Sequence, residues 1–160
     1  MGGMLAGLRR TPLLVEPWPQ GLRLSSLAFL FGLGGLMMGA NEDNPLRLED
    51  QELVPMLRPT WVAGSEGAMS LLALLYPDRR SSDPVTASIE LHRDGQLRAK
   101  APVRLPAAGA DGEIRYLGGL KFSSLQPGSY VVKMVAQQGA ARVEESAVLE
   151  VILTPIRRVE

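Results

Sequence analysis

Leu125-Gln126-Pro127-Gly128-Ser129-Tyr130, continued by Val131-Val132-Lys133-Met134-Val135, is the stretch whose reading decides the fold. Proline presets one backbone angle of a turn, and glycine accepts a positive φ at the next position. The β-branched alternation that follows reads as a strand. A tyrosine just past such a turn, at the head of a late strand, can return its hydroxyl to the backbone it has just left, forming a tyrosine corner. Tyr130, Pro127 and Gly128 are therefore structural residues in this reading. They select an architecture and say little about chemistry.

Working outward, Tyr130 to Ala136 and Ala141 to Leu153 read as two strands joined through Gln137-Gln138-Gly139-Ala140. The clearest hairpin lies upstream. Val85, Ala87, Ile89 and Leu91 alternate with polar residues, and Asp94-Gly95 supplies the two-residue reversal that type I′ hairpins prefer. Leu97, Ala99, Ala101, Val103 and Leu105 alternate in the second arm, so each arm is expected to turn one apolar face to a buried layer. Pro102 places that arm at a sheet edge. Ile114, Tyr116, Leu120 and Phe122 flank Gly118-Gly119, where a bulge or bend is expected. Ala68 to Tyr76 is a near-continuous apolar run closed by Pro77-Asp78, the pattern of a central strand buried on both sides. Leu53 to Trp61, interrupted by Pro55 and Pro59, should be an edge strand or irregular. These elements predict an all-β, Ig-like or fibronectin-type antiparallel β-sandwich of about seven strands. It would span residues 46–153, after a poorly ordered N-terminal arm (1–45) and before a short tail (154–160).

Composition agrees. A chain of 160 residues suits one domain with a core that needs no staples. Gly 17 and Pro 12 exceed the usual share, which fits many turns better than a helical bundle. Lys and Arg (17) balance Asp and Glu (17), so there is no electrostatic footprint for nucleic acid. Without cysteine there are no disulfides, thiolate nucleophiles or Cys-ligated metals.

Leu24 to Ala40 is free of charge, follows Arg9, Arg10 and Arg23, and ends in Gly39-Ala40. Three readings fit it: strand plus loop, signal peptide, or a membrane anchor through which the chain would contact a bilayer. Met38 and the glycines at 32, 34, 35 and 39 argue against a signal peptide, and the run is short for a membrane span, which needs about 20 apolar residues. Glu42, Asp43, Glu49, Asp50 and Glu52 form an acidic segment without the Asp/Asn alternation and glycine of a calcium loop. It reads as a solvated loop.

Candidate chemistry is sparse. His92 is the only histidine, in His92-Arg93-Asp94, and the partners a kinase catalytic loop would need are missing. It reads as a solvent-facing strand end beside the turn at Asp94 and Gly95, themselves structural. No G-x-S-x-G elbow occurs. Glu144 and Glu145 are adjacent, so on a strand they point to opposite faces and cannot flank one bond. The expectation is no enzyme, no catalytic residue, no cofactor and no metal ligand. Trp61, between Pro59 and Gly64, is the best candidate for a ligand contact, as in a sugar-stacking surface.

Taken in order, Gly21-Leu22-Arg23-Leu24-Ser25-Ser26-Leu27, Asn44-Pro45-Leu46, Leu53-Val54-Pro55, Ala73-Leu74-Leu75-Tyr76-Pro77, His92-Arg93-Asp94-Gly95 and the 125–130 turn carry a resemblance. From about Gly21 to Val151 the chain resembles the β-sandwich tail that follows the von Willebrand factor A-like domain in VWFA-related proteins of Acidobacteria-type bacteria. The adhesion motif Asp-x-Ser-x-Ser of that preceding domain does not occur here, so no metal residue carries over. The resemblance implies an exported protein, periplasmic or secreted, whose partner is an adjacent A-like domain or another chain. If Leu24–Ala40 is a strand and no upstream signal exists, a cytoplasmic location follows instead. The expected function is a non-catalytic structural or interaction module; the alternative is a carbohydrate-binding accessory domain that uses exposed aromatics such as Trp61.

Overall fold

Strict alternation along residues 128–138 forces one side of that stretch into an interior: Tyr130, Val132, Met134, Ala136 and Gln138 are all buried. A computed structural model of the chain describes residues 20–30, 47–48, 51–122 and 124–153. Among them every regular element is a strand: β1 (Arg23–Leu24), β2 (Ala28–Leu30), β3 (Arg47–Leu48), β4 (Gln51–Glu52), β5 (Thr60–Val62), β6 (Met69–Tyr76), β7 (Val85–Arg93), β8 (Gln96–Val103), β9 (Ile114–Leu120), β10 (Gly128–Gln138) and β11 (Ala141–Ile152). The fold is all-β and sandwich-like. A five-stranded sheet in the order β5-β11-β10-β7-β8 faces a four-stranded sheet built on β6. Phe29, Met69 and Leu71 from the small sheet meet Leu91, Tyr130, Val132, Leu149 and Val151 from the large one in a single cluster.

More strand segments occur than the expected seven, for local reasons. The first strand is split: β1 pairs with Leu75–Tyr76 and β2 with Ser70–Leu72, both on one edge of β6. Between them Ser25 receives the Leu74 N–H on its Oγ at 2.9 Å and donates its own N–H to the Leu74 carbonyl at 2.8 Å. A side chain thus substitutes for one backbone bond where the ladder breaks. The sandwich also begins earlier than the expected boundary at Leu46, because Leu22, Phe29 and Leu30 are buried in it. Residues 1–19, 31–46 and 154–160 lie outside the described residues, and with them the leader, most of the 24–40 segment and the tail. Among the described residues no helix is long and apolar enough to cross a membrane.

The segment bearing Pro55 and Pro59 changes sheets. Met56 donates to the Phe29 carbonyl at 2.7 Å beside β2, and by Thr60 the chain has crossed to pair parallel with β11. β5 is accordingly the edge of the large sheet. Proline at both ends of the crossing costs no ladder bond, since neither residue sits inside a central strand. β6 is central, as its apolar run requires. Leu71, Ala73 and Leu75 face the shared core, while Leu72 joins Leu30 and Leu53 in a second cluster on the outer side.

Two expectations for the hairpins and glycines are revised. Asp94 (φ 54°) and Gly95 (φ 74°) do form the tight reversal between β7 and β8. However, the register slips there, pairing Leu91 with Ala99 but His92 with Leu97 and leaving Arg98 without a partner. The slip puts Leu97 out of phase with Ala99 and Ala101, on the outer face beside His92, and the second arm buries no apolar face: Gln96 to Pro102 are all exposed and only Val103 is half-buried. At Gly118-Gly119 there is no bulge: β9 runs in unbroken register with β6 from Ile114 to Leu120. Gly118 is needed for space, because the Tyr116 ring lies where a Cβ would stand.

Phe29 is 1% exposed and comes from the segment the sequence assigned to an arm. Phe29→Ala should cost about 3–5 kcal/mol in urea denaturation. Unchanged stability would remove residues 20–30 from the cooperative unit.

Candidate functional site

The residues singled out in the sequence converge at one end of the large sheet. Tyr130 opens the buried row of β10, and its hydroxyl donates to the Gln126 carbonyl, four residues upstream, at 2.9 Å. Arg93, the last residue of β7, donates from Nη1 to the same hydroxyl at 3.1 Å and from Nη2 to the Pro127 carbonyl at 3.1 Å. Its guanidinium lies 5.3 Å from the centroid of the Tyr130 ring. One arginine therefore ties the Asp94-Gly95 turn to the Pro127-Gly128 turn. The sequence offered Arg93 only as part of a tripeptide; its signal is a cation immediately before a tight turn, which is weak without the partner.

A buried polar residue also escaped the sequence reading. Gln138, at the far end of β10, is 5% exposed. Its Oε1 accepts the Asp78 N–H at 2.7 Å, and its Nε2 donates to the carbonyls of Asp78 and Asp83 at 3.2 and 3.1 Å. Every polar atom of the amide is satisfied, so burial carries no desolvation penalty left unmet.

The outer face of the large sheet carries ion pairs and an apolar row. Glu90 accepts from Lys100 Nζ on Oε1 at 2.9 Å and from His92 Nε2 on Oε2 at 3.0 Å. A carboxylate can only accept, so Nε2 is the protonated ring nitrogen. Lys133 pairs with Glu144 at 2.8 Å, and Glu144 also holds Arg142 at 2.8 Å. Glu145, opposite Met134, is on the other face of β11, so the two carboxylates do not converge. Next to the charged row, register aligns Leu97, His92, Val131 and Val148 across four strands. Leu97 is 52%, Val131 37% and Val148 53% exposed.

Trp61 is placed elsewhere than the sugar-stacking reading needs. It is 8% exposed and meets Phe122 edge-on at 5.6 Å and 72° inside the core. The apolar segment that changes sheets carries it inward, and it has no face to offer a ligand. Glu42, Asp43, Glu49 and Asp50 lie outside the described residues. Among the described residues no three of His, Asp and Glu are gathered as a metal would require.

No protein-family model matches this chain, and no curated protein matches it. Among solved structures it is similar to an engineered protein, at 12% identity and a TM-score of 0.38. That likeness covers 60% of this chain and 18% of the other, and is too slight to carry an argument.

Two outcomes test this geometry. Tyr130→Phe should cost about 1–2 kcal/mol by chemical denaturation, since it leaves the Gln126 carbonyl and one Arg93 donor without their partner. The second concerns acid. Hydrogen bonds from Lys100 first, then His92, hold the Glu90 carboxyl below its ordinary value of 4.5. A depressed native value contributes stability above the unfolded value, and that contribution is lost as pH falls through the native one. Glu144 and Asp78 are shifted the same way by Lys133 and Arg80. Glu90→Gln should therefore flatten part, not all, of the fall in melting temperature below pH 4.5. An identical pH profile for variant and wild type would contradict the Glu90 pairing.

Proposed function

We propose that this chain is a non-catalytic interaction module with the topology of an Ig-like sandwich, serving an exported protein. Three features support the fold type. β6 and β9 pair in one sheet while β7, β10 and β11 pair in the other, the division expected for the B, E and C, F, G strands. The short β5 runs parallel to the last strand. Tyr130 begins the strand after β9 and returns its hydroxyl to the preceding turn, the tyrosine-corner arrangement.

The observation that carries the functional reading is the row Leu97–His92–Val131–Val148 on the outer face. Solvent-facing strand positions in an antiparallel sheet are usually polar. Here three of four cross-strand neighbours are exposed aliphatics, beside a rim of paired charges at Glu90, Lys133 and Glu144. An apolar strip with a polar rim is the anatomy of a protein contact. The partner is an adjacent domain or another chain, and the resemblance to the tail of VWFA-related proteins supports both that context and export.

A photo-crosslinking phenylalanine analogue at Val148 tests the proposal, with the same analogue at Gln137 on the polar part of the face as control. In cells carrying the full natural reading frame, one discrete crosslinked polypeptide is expected from position 148 and none from 137. The same products at both positions, or none at either, would overturn it.

A further inference from the structure

We propose a second binding surface: the open side of the sandwich takes an extended, acidic segment of a partner protein as an added strand along the free edge of β9. It is independent of the outer row, which lies on the other face of the large sheet.

The two sheets are unequal in width. β1 and β2 share one edge of β6 and β9 holds the other, so the small sheet is three strands across against five in the large one. On the β5 side, the crossing at Met56–Thr60 closes the sandwich. On the other side, among the described residues, β8 has no strand of the small sheet opposite it, although the connection that follows it packs Leu105 against the cluster of Leu75 and Ile114. Beneath β8 runs a groove of about 440 Å³, lined by Leu91, Ala99, Ala101, Leu120, Phe122 and Leu125 among others. Its walls are mostly apolar, with Lys100, Lys121 and Ser124 also lining it, and alanines on the β8 wall leave room for incoming side chains.

The backbone supplies the other half of the site. Among the described residues β9 is bonded only to β6, so its far edge presents unpaired N–H and C=O groups. β8, the other edge on this side, is guarded by Pro102 and by the slip at Arg98. Ile114–Leu120 has no proline and one charge, Arg115. A strand added here would gain main-chain hydrogen bonds from β9 and insert alternate side chains beneath β8, the strand-addition mode of peptide recognition.

Charge names the occupant. The residues that line the groove include two lysines, Lys100 and Lys121, and no carboxylate. Lys100 is paired with Glu90, Lys121 has no carboxylate partner among the described residues, and Arg98 lies in the adjoining depression beside Asp94. An extended segment with apolar residues at alternate positions and Asp or Glu at its ends answers both features. This chain's residues 1–19 and 154–160 are net basic by sequence and do not answer that charge.

The test uses a fluorescein-labelled peptide, Asp-Glu-Val-Thr-Val-Thr-Val-Asp, on the full chain. Controls replace its acidic residues by lysine or scramble its core order. Saturable binding is expected for the acidic peptide, about tenfold tighter than for the lysine version. Lys121→Glu, at an exposed site, should invert that preference. Ala101→Glu, which places a charge in the groove, should weaken binding at least about tenfold. Hydrogen exchange should slow at β9 amides on the edge away from β6. Equal binding of the scrambled peptide, no saturation at millimolar concentration, no effect of Lys121→Glu, or protection mapping elsewhere would each overturn the proposal. So would β9 edge amides already protected in the free chain: with a monomer by light scattering, the groove belongs to a segment of this chain, and with a dimer, to a second copy.

Discussion

Everything in this molecule is referred to one constraint, the pairing of β10 on both edges. It is bonded to β11 along all its 11 residues and to β7 from Val131 to Gln138. A strand held on both sides cannot slip by one residue without turning Tyr130, Val132, Met134 and Ala136 out to water. Burying side chains the size of Val132 and Met134 is worth about 1.5–3 kcal/mol each, so the register is specified more than once. The strands that bond to β10, and those that face it, inherit their faces from this choice.

The two sheets differ in how their faces are covered, and two sequence patterns account for that. β7, β10 and β11 alternate, which permits a wet outer face, and the large sheet has one, with its ladder of Glu90, Lys100, Lys133 and Glu144. β6, reading Met69-Ser70-Leu71-Leu72-Ala73-Leu74-Leu75-Tyr76, has apolar residues for both faces and must be covered twice. The outer cover is Leu53, which joins Leu30 and Leu72 on the outer side. Among the described residues no strand continues this sheet beyond β9, so β8 of the wider sheet overhangs it.

Much of this was legible in the sequence because each feature declared itself locally. The Asp94-Gly95 reversal, the doubly buried 68–76 run, the edge character imposed by Pro55, Pro59 and Pro102, and the turn before Tyr130 all depend on neighbours in the chain. What was not legible depends on distant partners. Leu97 fits the alternation, and only the slipped register against β7 turns it outward. Gly118 looks like a bend until the Tyr116 ring is seen across it. Trp61 sits between turn residues, as a surface aromatic would, yet Phe122 and the core receive it. Residues 22–30 carry no strand-length period, because Ser25 breaks their ladder in two.

Arg93 shows how such long-range requirements feed back on local ones. Gly128 has φ 142°, which already favours glycine, but a Cβ there would also stand 3.0 Å from Nη2 of Arg93. The glycine is thus demanded twice, by its own backbone and by a side chain from another strand. In return, the bare backbone at Gly128 lets the guanidinium reach the Pro127 carbonyl and the Tyr130 hydroxyl together. The two halves depend on each other: a Cβ at 128 would oblige the guanidinium to shift, and without the arginine the Pro127 carbonyl would lose its donor. The two turns most readable in the sequence are therefore coupled by Arg93, a residue whose role could not be read there.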